Sequence, residues 1–442
     1  MVYLNREGEK VKKDILIKNG LIVTVDNEMR VIDNGFVSIK ESKIVEVGEM
    51  KNLQDCEADK IIDAKGGIVM PGLVNTHCHA PMTLLRGYAD DYPLMDWLNN
   101  YIWPIEREFI NKDTVEIGTR LAVLEMIKSG TTIFNDMYFF EEVVGNVCKE
   151  AGMRVVIGEG VMDLVGVAGE MNFDLLDKFK DDELVVTAVA NHAPYTCSPE
   201  LMKRSSDIST KYNVPYHIHL SETETEFNDI KKDKGLSPVE YLESIGALNE
   251  RMVAVHSVVL TDKDLEIYKK YNVGVSHNVE SNLKLASGVA RIPDMLKMGI
   301  KVGLGTDGTA SNNNLDMFEE MATAAKLHKA IAKDPTVLKA EEIVRVATMG
   351  GAEVLSMSDK IGSIEVGKKA DIIIIDTDKP HLTPLYNPYS HLAYSVQGSD
   401  VSHTIINGKL LMENRNMLTI NEKQTIEDVN SVAKKIKEFK NN

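Results

Sequence analysis

The side chains that could do chemistry are concentrated in one stretch of the chain. His77, His79, His192, His219, His256 and His277 are six of the 11 histidines, and each ends or closely follows a short apolar run, as does Asp307. Imidazole nitrogens and carboxylate oxygens are the donors that Zn²⁺ and Fe²⁺ accept, and a mixed set leaves room for a water. A single divalent ion held this way lowers the pKa of a water towards ~7, which makes a nucleophile available at neutral pH.

In His77-Cys78-His79 the imidazoles are two residues apart. On a strand they share one face and Cys78 takes the other. A solvated pair in a turn is the plainer alternative, but the apolar run GIVMPGLVNTH before it favours a metal. His219 closes VPYHIHL and is read as the third imidazole, with His217, one layer deeper, as a hydrogen-bonded core residue. Asp307 in GLGTDG completes a three-His, one-Asp set and can accept the proton of the water.

Glu222 lies three residues beyond His219. Leaving the strand there, it would lean over the metal and carry a proton to a substrate ring nitrogen. Its alternative is a solvated member of the acidic run SETETE. His256 is read as the group that orients the attacking oxygen, against the alternative of a buried, satisfied histidine.

These residues need a scaffold that gathers distant segments. Eight apolar runs (GIVMPGLVNTH, TTIFNDMYF, MRVVIGEGV, LVVTAVANHA, VPYHIHLSE, MVAVHSVVL, VGVSHNV and KVGLGTDG) alternate with helical stretches. That pattern predicts an α/β fold, a (β/α)8 barrel over residues 67–355. Barrel active sites form where the C-terminal ends of the strands converge, so all six histidines and Asp307 are expected at one mouth. Residues 1–66 and 356–442 carry period-two Ile/Val patterning broken by Asn-Gly and Lys-Gly turns. Together they predict a small β-sandwich built from both ends of the chain, followed by a charged surface helix over roughly 423–440.

Composition narrows the partners. The chain has 442 residues, 43% hydrophobic and 26% charged, which is ordinary globular usage. Fifty Lys and Arg against 67 Asp and Glu give a net charge of −17, which opposes binding to nucleic acid or an anionic membrane. Cys56, Cys78, Cys148 and Cys197 are scattered without a Cys-x-x-Cys, and no signal-peptide or membrane-spanning apolar run is present, so a cytoplasmic protein is expected.

The segments GLVNTHCHAPMTLLRG, HIHLSETETE, SHNVESNLKLASG and GLGTDGTASNNNLDMF resemble the amidohydrolase superfamily, and within it the deaminases of 5'-methylthioadenosine and S-adenosylhomocysteine. The resemblance spans nearly the whole chain. It implies metal ligation by His77, His79, His219 and Asp307, proton transfer by Glu222, and hydroxide orientation by His256. It implies a single ion, zinc first and iron second, because the fourth strand ends NHAPYTCS, without the lysine that bridges two metals in other relatives. It also implies an adenine nucleoside as partner, with His192 binding it and Glu106 of WPIERE gripping its ribose hydroxyls, and a homo-oligomeric assembly. Trp97 shares the long loop after Ala80 with Glu106, as a lid that can cover a flat purine. The alternative for Trp97 and Trp103 is an amphipathic-helix core.

Relatives that accept S-adenosylhomocysteine can carry an arginine near the end of the third strand, where this chain has Glu159. A second arginine of those relatives has no counterpart in LVGVAGEMN. A carboxylate at 159 would repel the amino-acid tail, so small 5'-substituents are expected: 5'-deoxyadenosine, methylthioadenosine or adenosine. The rivals are a guanine, cytosine or triazine-type aminohydrolase or chlorohydrolase of the same superfamily, and an inactive barrel serving as a scaffold.

Overall fold

Eight parallel strands close into a barrel in the computed structural model, which describes residues 12–54, 57–165 and 173–440. In chain order they are β1 (Leu73–Cys78), β2 (Thr131–Tyr138), β3 (Arg154–Val161), β4 (Val185–Thr187 and Val189–Asn191), β5 (Tyr216–Leu220), β6 (Met252–His256), β7 (Gly274–His277) and β8 (Lys301–Leu304). Each pairs with the next, and β8 returns to β1 through Leu304 and Asn75. Helices between the strands cover the barrel. One of them, Pro199–Tyr212, starts as its Ser-Pro signal predicts: Ser198 Oγ accepts the Leu201 N–H, and Pro199 takes the first position, where no N–H is needed. Val74, Ile133, Val156, Val253 and Val255 form an inner cluster with Ala352 and Val354.

The two ends of the chain meet in one continuous nine-stranded mixed sheet. Its core joins Ile17, Ile22, Val37 and Ile39 from the front of the chain to Ile372, Ile374 and Ile405 from the back. The run GIVMPGLVNTH, read above as one strand, is two. Ile68–Pro71 belongs to the terminal sheet, parallel to Lys13–Val23 and antiparallel to Ile372–Ile375, and only Leu73–Cys78 enters the barrel. Gly72 makes the transfer: a Cβ there would lie 2.1 Å from the Thr132 side chain.

A buried ion pair fastens the sheet to the barrel. Arg154, at the start of β3 and 2% exposed, donates from Nε to Asp371 Oδ2 (2.7 Å) and from Nη2 to Oδ1 (3.1 Å). The final helix, Glu422–Lys440, packs on Lys112–Ser129, with Lys128 Nζ 2.7 Å from Glu422 Oε2. Cys78, Cys148 and Cys197 are buried free thiols, and Cys56 lies outside the described residues. Among the described residues no helix is long and apolar enough to cross a membrane.

Candidate active site

A cavity opens at the C-terminal rim of the barrel. His79, His192, His219, Glu222, His256 and Asp307 line its floor. His77 lies beneath them and is fully buried. Strand β1 loses regular register between Asn75 and Cys78, the stretch that carries His77. His77 Nε2 lies 3.2 Å and His79 Nε2 3.3 Å from the same Asp307 oxygen, Oδ1. Donor atoms of His77, His79 and His219 lie within 4.8 Å of one another, as do those of His77, His256 and Asp307.

The outward ring nitrogens decide what this group can hold. His79 Nδ1 faces the Met137 carbonyl (2.5 Å) and His219 Nδ1 the His192 carbonyl (2.7 Å). A carbonyl only accepts, so both Nδ1 atoms carry the proton and both Nε2 lone pairs are free. His77 Nδ1 lies 2.9 Å from His217 Nε2. Burial favours the neutral rings: it brings His77 down to about 3, and lowers His79 and, more strongly, His219. Burial alone would raise Asp307, but the His77 ring and its neighbours hold it well below the usual carboxylate range. Ser281 Oγ–H (2.6 Å) and the Gly308 N–H (2.7 Å) also donate to it. Neutral imidazoles with free Nε2 atoms around an anionic carboxylate fit a divalent cation, with the backbone carbonyls as the outer partners that orient them.

Glu222 leaves β5 through a turn with Ser221 at φ 55°. The turn is gripped from behind: Glu226 accepts the Ser221 N–H (3.0 Å) and the Glu222 N–H (2.8 Å). The Glu222 carboxyl is buried, which raises its pKa, and its Oε2 lies 3.7 Å from His256 Nε2. The other His256 nitrogen, Nδ1, is 2.9 Å from Asn282 Oδ1. Asp307 (φ 61°) and His256 (φ 70°) also sit in the left-handed region, sparsely populated backbone of the kind that collects at functional sites.

The segment after Ala80 forms the roof. Trp97 and Trp103 both line the cavity, and Trp97 is anchored by its indole N–H on the Ala89 carbonyl (2.9 Å). Glu106, on the helix Trp103–Phe109, points in beside them. It is 9% exposed; burial raises it to about 7, partly offset by the Tyr138 hydroxyl, which donates to its Oε1 at 2.6 Å. His192 lines the opposite wall, with Nδ1 2.9 Å from Thr196 Oγ1.

Two expectations need correction. His277 is not at the mouth. The neighbouring Ser276 points inward to Thr76 Oγ1 (2.6 Å), so alternation turns His277 to the outer face, where its Nε2 meets His328 Nε2 at 3.1 Å. Glu159 is not on the cavity wall either. Its carboxylate accepts the backbone N–H groups of Phe140 (3.0 Å) and Glu141 (3.1 Å), which ties down the turn after β2. Residues 166–172 of LVGVAGEMN lie outside the described residues. Sequence reasoning missed Tyr138, Glu226, Ser281 and Asn282. The last two sit inside the quoted segment SHNVESNLKLASG, and their polar side chains beside Asn278 were the available signal.

A model of the amidohydrolase family matches residues 68–411. A 5-methylthioadenosine/S-adenosylhomocysteine deaminase of Syntrophobacter fumaroxidans is 47% identical over 96% of this chain and 99% of its own. A 5'-deoxyadenosine deaminase of Methanocaldococcus jannaschii is 46% identical over 90% of this chain and 97% of its own. A solved structure of an adenosine deaminase from Xanthomonas campestris with bound zinc superposes with a TM-score of 0.94 at 36% identity, covering 96% of this chain and 99% of the other. With its barrel and its histidine–aspartate cluster, the chain belongs to the amidohydrolase family.

Proposed function

We propose that this protein is a metal-dependent hydrolase that deaminates 5'-modified adenosines to the corresponding inosines and ammonia. The observation that carries the reading is the meeting, at one cavity, of two overlapping donor triads, His77–His79–His219 and His77–His256–Asp307, with a buried carboxyl, Glu222, and a roof of two indoles and a second carboxyl, Glu106. The relatives' names support the same class of substrate.

His77, His79, His219 and Asp307 would hold one divalent ion, zinc in the first instance as in the Xanthomonas protein. Bound there, the ion supplies Lewis acidity that brings the pKa of a water towards ~7. The rest falls to the chain. Asp307 Oδ accepts the proton of the attacking water. His256, whose Nδ1 faces Asn282, turns Nε2 to that water and orients it. Glu222, whose carboxyl burial shifts upward, passes a proton to the ring nitrogen next to C6. Oxygen then bonds to C6, the proton taken by Asp307 passes to the exocyclic nitrogen, the C–N bond breaks, and ammonia leaves as the proton of the C6 hydroxyl returns to Glu222. His192 contacts the base, Trp97 and Trp103 cover it, and Glu106 accepts hydrogen bonds from the ribose hydroxyls.

Small 5'-substituents are preferred, for a reason other than Glu159. The charged groups lining the cavity are Glu106, Glu222 and Asp307; among the described lining residues there is no lysine or arginine to meet an amino-acid carboxylate. Met82, Met137, Met162 and Phe139 offer apolar wall suited to a methyl or thioether group. Steady-state kinetics of zinc-loaded protein on 5'-deoxyadenosine, methylthioadenosine, adenosine and S-adenosylhomocysteine test this. We expect the smaller three to lead in kcat/KM. Faster turnover of S-adenosylhomocysteine overturns the preference, and ammonia release from guanine or a triazine but from no adenosine overturns the reading.

A further inference from the structure

We propose that Tyr138 is a positioning residue that aims Glu106 at the substrate's vicinal hydroxyls and so makes the site select ribose over a sugar without them. The inference rests on the function proposed above. Glu106 stands at the end of a flexible side chain in a mostly apolar roof, and among the described residues the Tyr138 hydroxyl is its one hydrogen-bond donor, at 2.6 Å. A carboxylate grips two adjacent hydroxyls only when its plane is fixed, because each oxygen must face one of them. Tyr138 supplies that constraint from a rigid place, the last residue of β2, where its ring also leans on the His79 ring with centroids 6.3 Å apart.

The preceding residue makes the placement more telling. The Met137 carbonyl takes the Nδ1 proton of His79. Two consecutive residues of one strand thus hold a group at the hydrolytic end of the cavity and a group at its ribose end. A nucleoside is therefore held by its ribose at one end while its base meets the hydrolytic end, and the anchor acts on binding. The Tyr138 donor also favours the ionised form of Glu106 against the burial that raises it. The neutral acid would present an O–H where an acceptor is needed.

The test is Tyr138→Phe in zinc-loaded protein, with adenosine and 2',3'-dideoxyadenosine as a matched pair. We expect KM for adenosine to rise about tenfold, one charge-assisted hydrogen bond's worth of orientation, with kcat within about twofold and KM for the dideoxy compound nearly unchanged. Equal loss on both substrates, or none on either, overturns the proposal. Glu106→Gln separates the two layers of inference. If it discriminates between the substrates and Tyr138→Phe does not, the role of Tyr138 alone falls. If neither does, the ribose contact of Glu106 falls and takes Tyr138 with it. Competition by inosine and 2',3'-dideoxyinosine provides a readout independent of turnover, and a thermal melt shows whether Tyr138→Phe is folded.

Discussion

Asp371→Ala is expected to destabilise the protein severely while sparing its chemistry. Arg154 is 2% exposed and Asp371 5% exposed. The aspartate takes two guanidinium hydrogen bonds, at 2.7 and 3.1 Å, and the Asn407 N–H at 2.6 Å. Removing it leaves a cation in the interior whose remaining acceptors are the Glu183 carbonyl and the Asn407 amide oxygen. Breaking one side of a buried pair costs about 3–5 kcal/mol, a shift of roughly two to three and a half decades in the unfolding equilibrium. The charge, not the volume, is the source of that cost. The double variant Arg154→Met/Asp371→Leu should therefore recover most of it, as replacement of a buried pair by apolar residues is often neutral or better. Urea denaturation of the single and double variants measures both. Because Arg154 begins β3 and the cavity lies at the opposite ends of the strands, kcat/KM of the folded single variant should match the parent. A loss below about 1 kcal/mol in Asp371→Ala, or a double variant no better than the single, refutes the reasoning.

Glu222→Gln should retain metal, since Glu222 is outside the donor set, and lose about 10²–10⁴-fold in kcat; loss of metal together with activity would reassign it to ligation. Gly72→Ala should cost about 1–3 kcal/mol in denaturant unfolding, because its methyl would meet Thr132 at 2.1 Å; a neutral effect would show that the crossover has slack. The metal-free protein should weaken on acidification. His77, at about 3, and His192, at about 4, both lie below the ordinary 6.5 because they are buried. The unfolded chain then binds protons that the folded one does not, so the stability from these groups is present above pH 6.5 and is lost as pH falls towards 4 and 3. Glu106 runs the other way: raised to about 7, it contributes fully below its unfolded value near 4.5 and loses that contribution as pH rises through 7. Thermal melts across pH 4–8 should show the acid-side loss, and Glu106→Gln should remove the alkaline-side component; a melt that rises on acidification contradicts the first.

The barrel is legible in the sequence because strand and helix periods differ and eight apolar runs recur between helices. The histidines gathered at the cavity are legible because a polar residue ending a buried strand has few structural reasons to be there. His277 satisfies the same description and goes elsewhere. One residue of register decides its face, and apolar pattern alone does not resolve that for a four-residue strand buried on both sides. Glu159 fails differently: alignment to a family position says which residue occupies a place, not whether a neighbouring turn will claim its side chain. Tyr138 and Asn282 were hidden because each acts on another residue, and such partners have no spacing rule.

The terminal sheet bears on how the chain comes to be folded. Ile68–Pro71 lies between Lys13–Val23 and Ile372–Ile375, so the third of these segments, some 300 residues after the second, fills a slot that the first two leave open. A nascent chain emerging from the ribosome must keep that flank unsatisfied until nearly all of it has been made, with an adhesive strand edge on offer meanwhile. Shortened products of premature termination would therefore be prone to cling to one another, and the cell's chaperones would meet this protein as a late folder.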